Sequence, residues 1–202
     1  MNAVRSLGKE LKDHRLVFFG AGSAATGVAW EIIQFFVKEG GMTEEEARAH
    51  FWLVDSKGLV TANRGDEFAP HKVPFARTDN GSLQIKDLLA TIEYVKPTAL
   101  IGLAVQPGSF TEDVVRLMAS LNERPIIFPL SNPTSKSECT FSQAVEWSNG
   151  KALFAAGSPF DPVEFNGCQH IAGQGNNMYF FFLLLIFLFF IFCPLLTVPI
   201  PI

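Results

Sequence analysis

Apolar and polar positions follow two rhythms along this chain. Residues 15–19 (Arg-Leu-Val-Phe-Phe) make a short apolar run of the kind buried on both faces of a sheet. After a glycine-rich break, Val28, Ala29, Ile32, Ile33 and Phe36 recur at helical spacing, and Gly40-Gly41 closes that helix. Thr43 with Glu46 reads as a capping box opening a second helix, and residues 51–54 form the next apolar run. Residues 58–80, rich in Gly, Pro and charge, read as an irregular excursion. Ser82 is predicted to cap a helix carrying Leu83, Leu88, Leu89 and Ile92, which Pro97 ends. Residues 99–103 are a buried strand, and Ser109 with Glu112 is predicted to cap the helix holding Val114, Val115, Leu117 and Met118. A strand at 125–128, a helix capped by Thr140 with Gln143, and a strand at 152–155 follow. Strands that alternate with helices predict an α/β fold, because parallel neighbours need crossover connections.

The break after the first strand carries the candidate chemistry. Gly20-Ala21-Gly22-Ser23-Ala24-Ala25 gives glycines two apart and a small residue three further on, at a strand-to-helix turn. In a doubly wound parallel sheet of Rossmann type, that arrangement cradles a dinucleotide pyrophosphate. The first glycine allows the turn, the second admits the phosphates, and Ala25 lets helix and strand pack closely. The helix's first amides then face the anion. Asp55, at the end of the second strand, stands where an acidic side chain accepts hydrogen bonds from the adenosine ribose. The bland alternative is a structural corner with Asp55 solvated at a strand end. Ligands in such sheets gather beyond the carboxyl ends of the strands. Four groups fall there: the Gly20 turn, Asp55-Ser56-Lys57, the small exit Ala104-Val105, and Ser131-Asn132-Pro133. Asn132 either faces a ligand or simply caps a turn before proline.

Composition narrows the field. The 202 residues carry 16 basic and 20 acidic side chains, a formal charge of −4, and so offer no basic footprint for nucleic acid. The length suits one α/β domain. Cys139, Cys168 and Cys193 show no metal-ligand spacing and read as reduced thiols. His14, His50, His71 and His170 are scattered, which favours packing or surface roles. No secretory signal is read at the start. After Glu164 there is no Asp, Glu, Lys or Arg, and seven of the 20 phenylalanines lie at positions 180–192. Composition thus divides the chain into a domain at 1–177 and a hydrophobic, helix-like tail at 178–202.

Several blocks resemble, in order, the NAD(P)-binding domain of malic enzymes. They include Gly20-Ala21-Gly22-Ser23-Ala24-Ala25-Thr26-Gly27, Val54-Asp55-Ser56-Lys57-Gly58-Leu59, Leu130-Ser131-Asn132-Pro133-Thr134-Ser135, Ala156-Gly157-Ser158-Pro159-Phe160-Asp161-Pro162 and Gly173-Gln174-Gly175-Asn176-Asn177. The resemblance covers about residues 7–179 and implies oxidative decarboxylation of malate to pyruvate with reduction of NAD or NADP. It implies that the Gly20 turn holds the pyrophosphate and Asp55 the adenosine ribose. Ser56, Lys57 and Lys72 would contact a 2′-phosphate, favouring NADP, unless the two lysines are merely solvated. Asn132 and Asn176 would hold malate, with Asn177 shaping their loop. Homo-oligomers and a cytosolic or mitochondrial location are what the family implies.

In malic enzymes a lysine base, a tyrosine acid and the acidic ligands of a Mg or Mn ion lie ahead of the Gly20 turn. No catalytic residue and no metal ligand is therefore assigned in this chain; the resemblance implies the NAD(P)-binding domain of an oxidoreductase that is inactive alone, the alternative being a non-catalytic, membrane-anchored dinucleotide-binding module. Residues 178–193 give sixteen apolar positions, or ~24 Å of helix, against the ~20 residues that span a bilayer. The tail is either a short membrane-contacting segment or the translation of pyrimidine-rich, non-coding sequence.

Overall fold

The computed structural model describes residues 3, 4, 7–65 and 67–175; the 178–202 tail, Asn176 and Asn177 lie outside them. The apolar run after Arg15 becomes β1 (Leu16–Phe19). The amphipathic stretch after the glycines becomes α1 (Ser23–Gly40), which stops at Gly41 in the left-handed conformation with φ 65°. Thr43 and Glu46 form the expected reciprocal capping box on α2 (Glu44–Arg48). Then follow β2 (Phe51–Asp55), the short β3 (Gly58–Leu59), α3 (Leu88–Val95), β4 (Ala99–Gly102), α4 (Glu112–Leu121), β5 (Ile126–Pro129), α5 (Phe141–Trp147), β6 (Leu153–Ala156), β7 (Val163–Phe165), β8 (Cys168–His170) and β9 (Gly173–Gln174).

The main sheet runs β3-β2-β1-β4-β5-β6-β9. Its pairings are parallel except β2 with β3, which are antiparallel through Val54↔Leu59 and Asp55↔Gly58. The chain leaves β1 to one side for β2, then returns across to β4 on the other. The two connections diverge between β1 and β4, which makes that junction the topological switch point.

Continuous apolar runs become two cores because alternate strand residues point to opposite faces. Leu16, Phe18, Leu53, Ala99, Ile101 and Ile126 pack with Ala25, Ala29, Ile33 and Phe36 of α1. Val17, Val54, Leu100 and Ile127 pack on the other face with Ile92 of α3, Val115 and Met118 of α4, and Phe141 of α5. Each fully buried Val, Leu, Ile, Phe or Met side chain among them contributes about 1.5–3 kcal/mol. Both faces of β1 are thus covered, as its unbroken apolarity requires.

Two caps fall later than the sequence reading placed them. α3 begins at Leu88 behind Asp87, whose side chain accepts from the Ala90 amide, and not behind Ser82. α4 is capped by Thr111, which accepts from the Val114 amide; Ser109 Oγ is instead buried without a hydrogen-bond partner. The capping box of Thr140 and Gln143 on α5 is present as expected. The β7–β8 hairpin and β9 were not anticipated. Their signal was in the sequence: Asn166-Gly167 between the two strands both take positive φ (53° and 72°), the arrangement of a tight hairpin turn. Among the described residues no helix is long and apolar enough to cross a membrane.

Candidate functional site

β1 ends at a turn that only glycine fits. Gly20 has φ +120°, and a Cβ there would lie 2.7 Å from the carbonyl carbon and oxygen of Leu103. The close approach is made by two backbone bonds, from the Gly20 amide to Val54 O (2.7 Å) and from the Leu103 amide to Phe19 O (2.8 Å). The turn is thereby wedged between the ends of β2 and β4. Gly22 stands at the N-cap of α1 with no side-chain cap, and no atom lies within 4 Å of where its Cβ would be. The first intrahelical bond comes from the Thr26 amide to Gly22 O, so the amides of Ser23, Ala24 and Ala25 have no acceptor within the helix. Ser23 and Ala24 are exposed, Ala25 is buried against the sheet, and the first turn holds no acidic residue. An anion is the natural ligand of such a helix start.

This turn forms one wall of a crevice of about 260 Å³ at the switch point, which Asp55, Ser56, Leu103, Ala104 and Gln106 complete. A larger hollow of about 360 Å³ lies near the C-terminal end of α1, beside Leu11, Phe35, Gly40 and Met42. It is remote from the strand exits where ligands gather in this architecture.

At the β2 end Asp55 is more engaged than its sequence position implied. Arg64 grips its carboxylate with both terminal nitrogens, Nη1 to Oδ1 and Nη2 to Oδ2, each at 2.9 Å. Lys72 Nζ reaches Oδ2 at 2.9 Å, and the Lys57 amide donates to Oδ1 at 2.9 Å. The Asp55 and Arg64 side chains are each only 10% exposed and that of Lys72 23%. Burial alone pushes the Asp55 carboxyl up, but hydrogen bonds from Arg64, the Lys57 amide and Lys72 outweigh it and hold the group at about 2. Lys72 therefore meets Asp55 itself, while Ser56 and Lys57 are exposed at the same strand end. Arg64 was missed because nothing local marks an arginine nine positions beyond its partner; it is delivered by the turn after β3.

The wall opposite is built around a second carboxylate that the sequence did not flag. Glu138 is fully buried, and its Oε1 accepts from the Ala104 amide (3.2 Å) and from Ser131 Oγ. Burial pushes its carboxyl up from the ordinary range, and the donors from Ser131 and Ala104 oppose that. Val105 sits next to Ala104 with φ 55°, an uncommon conformation for a β-branched residue, and its amide donates to Ser131 Oγ at 2.9 Å.

Asn132 lies exposed at the β5 exit, where Ser158 Oγ donates to its Oδ1 at 2.7 Å. A Cβ on Gly157 would sit 2.5 Å from Asn132 Nδ2, so the glycine makes room for that side chain. The structure thus brings the Gly20 turn, Asp55, Ser56, Lys57, Lys72, Ala104, Val105 and Asn132 to one edge of the sheet. Among the described residues no group of three or more His, Cys, Asp or Glu side chains could hold a metal ion. Cys139 and Cys168 are free thiols; burial, then the neighbouring Glu138, push the Cys139 thiol up.

Residues 1–186 match the family model described as malic enzyme, NAD binding domain. Over 179 residues the chain is 53% identical to an NADP-dependent malic enzyme of Dictyostelium discoideum, covering 89% of this chain and 32% of that one. It is 47% identical to an NADP-dependent malic enzyme of Vitis vinifera, covering 89% and 30%. It is 48% identical to the chloroplastic NADP-dependent malic enzyme 4 of Arabidopsis thaliana, covering 88% and 27%. The chain therefore spans about a third of the length of these relatives. In fold it is similar to the crystal structure of a protein assigned as a malic enzyme (malate oxidoreductase). That likeness has a TM-score of 0.60 at 20% identity and covers 88% of this chain and 39% of the other.

Proposed function

The chain belongs to the malic enzyme family, as its NAD-binding domain, and from that premise we propose that the switch-point crevice holds NADP in preference to NAD. The observation that carries this reading is the engagement of Asp55. In a site built for NAD, an acidic group at the end of the second strand accepts from the ribose hydroxyls. Here both carboxylate oxygens already accept from Arg64 and Lys72. Two cationic side chains, Arg64 and Lys72, pair with one carboxylate, which leaves one positive charge (two minus one) at the end of β2. A 2′-phosphate carries about −1.5 to −2 at neutral pH, so it meets charge of the opposite sign there. The hydroxyl of Ser56 adds a donor at the same strand end. The three relatives described above are NADP-dependent malic enzymes, which supports the same choice.

The residues fit the cofactor. Gly20 gives the tight turn, Gly22 leaves the open approach, and the amides of Ser23, Ala24 and Ala25 receive the pyrophosphate oxygens. Ala104 and Val105 line the path toward the nicotinamide end. When bound, the nicotinamide ring supplies the hydride acceptor. Asn132, its Oδ1 fixed by Ser158, would offer its amide hydrogens to a carboxylate or carbonyl oxygen of malate without adding a titrating group. Asn176 and Asn177, outside the described residues, complete the proposed substrate contacts. In the whole protein these groups would serve oxidative decarboxylation of malate to pyruvate. A base, an acid and the ligands of a divalent Mg or Mn ion would come from residues other than these.

Equilibrium dialysis of the chain against NADP and NAD tests the reading directly. Saturable binding of NADP, at least tenfold tighter than NAD, is the expected result. Equal affinities would overturn the choice of cofactor, and no saturable binding of either would overturn the dinucleotide site.

A further inference from the structure

The buried carboxylate of Glu138 has no place in the cofactor contacts just described, yet two parts of the rim converge on it. From β4, the Ala104 amide donates to Oε1 at 3.2 Å. From β5, Ser131 Oγ donates to the same oxygen, and the Ser131 amide approaches Oε2 at 3.4 Å. Ser131 Oγ in turn accepts from the Val105 amide at 2.9 Å. The Ser131 hydroxyl has one proton and receives one from Val105, so that proton must go to the carboxylate. The backbone of the same segment ties down the rest of the loop. The Phe110 amide donates to Glu138 O at 3.0 Å and the Gly108 amide to Ser137 O at 3.3 Å. Space is made for the acid as well. A Cβ on Gly102 would lie 2.5 Å from Glu138 Cδ and 2.6 Å from Oε2, so the strand end is a glycine where the carboxyl group sits.

The result is a loop held in a shape it would not choose. Val105 is 52% exposed and left-handed, and a conformation of that kind persists only where the surroundings over-determine it. Here the over-determining group is Glu138, acting through Ala104 directly and through Ser131 on Val105. The loop so fixed faces Gly20 across the crevice, on the side of β1 away from Asp55. Neighbouring strands lie about 4.8 Å apart. A dinucleotide that starts at Asp55 on β2 and places its pyrophosphate at β1 would extend its second half over β4 and β5.

We propose that Glu138 is a positioning residue for the nicotinamide half of the dinucleotide, holding the Ala104-Val105 loop in the geometry that half requires. The inference rests on the dinucleotide reading above and adds to it a division of labour within the site. Asp55, Arg64 and Lys72 serve the adenosine half, and Glu138 with Ser131 serves the other without touching it. Glutamine is a poor substitute, because its amide hydrogens would face donors where the carboxylate now accepts.

The test compares two ligands on the full chain by isothermal titration: NADP, and adenosine 2′,5′-bisphosphate, which lacks the nicotinamide half. Glu138→Gln is expected to weaken NADP binding at least tenfold while leaving the bisphosphate within twofold of the unaltered chain. Ser131→Ala, which removes only the relay to Val105, is expected to act in the same direction by three- to tenfold. Should Glu138→Gln fail to fold, Ser131→Ala carries the same comparison. Retained bisphosphate affinity shows that a variant is folded, so a selective loss supports the inference. Unchanged NADP affinity would overturn it, and so would a parallel loss of both ligands, which marks a merely structural acid. An unaltered chain that binds neither ligand would overturn the dinucleotide reading and this inference together.

Discussion

Replacing Asp55 with Asn turns the charge cluster at the end of β2 into a measurable quantity. In the native chain the carboxyl is held at about 2 against an ordinary 3.8, by Arg64, the Lys57 amide and Lys72 acting against burial. Because the folded value lies below the unfolded one, the interaction stabilises fully above pH ~4 and is lost as pH falls through about 2. Nearly two pH units at 1.36 kcal/mol each give about 2.4 kcal/mol. Lys72 retains some solvent contact, which lowers the figure to about 2 kcal/mol. A protonated aspartic acid and an asparagine are electrically alike toward the two cations. The stability gap between native chain and variant should therefore be about 2 kcal/mol from pH 7 down to pH 4. It should shrink to below about 0.5 kcal/mol at pH 2. Urea unfolding followed by tryptophan fluorescence, using Trp52 on β2 as the reporter, gives the gap at each pH. A gap that stays constant from pH 7 to pH 2 would refute the reasoning. It would mean that the variant acts through shape and not through the ion pairs.

Other consequences are open to similar measurement. Gly20→Ala places a Cβ within 2.7 Å of the Leu103 backbone at a φ of +120°; urea unfolding should register a loss of about 1–3 kcal/mol or more, and an unchanged midpoint would show the turn to be pliable. Lys72→Gln should lower NADP affinity about tenfold, equivalent to about 1.4 kcal/mol, and leave NAD affinity nearly unchanged in dialysis. Thr43→Ala removes half of the α2 capping box and should lower stability by about 1 kcal/mol, without altering dinucleotide binding.

What the sequence made legible was what depends on near neighbours. The Gly20 turn, the caps at Thr43 and Thr140, and the apolar runs of β1, β2, β4, β5 and β6 each rest on residues a few positions apart. The cap of α3 went astray because Ser82 and Asp87 both precede leucines, and the backbone between them turns before it coils. Thr111 likewise stands closer than Ser109 to the first apolar turn of α4. Arg64 and Glu138 could not be read in this way. Glu138 meets Ala104 across 34 positions of sequence, and an acidic residue between Ser137 and Cys139 looks no different from a solvated loop acid until the sheet is closed. The role of Lys72 depended on resemblance alone until its contact with Asp55 gave it a physical partner.

The order of strands also sets a timetable for the chain's birth. β1, which carries the glycine turn, lies at the middle of the sheet, yet it is synthesised before both of the strands that flank it. Its pairing Leu16↔Phe51 needs residues made some 35 positions later, and Leu16↔Ala99 some 83 positions later. At the usual pace of 5–20 residues per second, both edges of this apolar strand stay open for roughly 2–7 s and one of them for roughly 4–17 s. The strand at the heart of the site is thus also the segment most in need of protection during synthesis. A chaperone that shields short apolar strands would find its target at Leu16–Phe19.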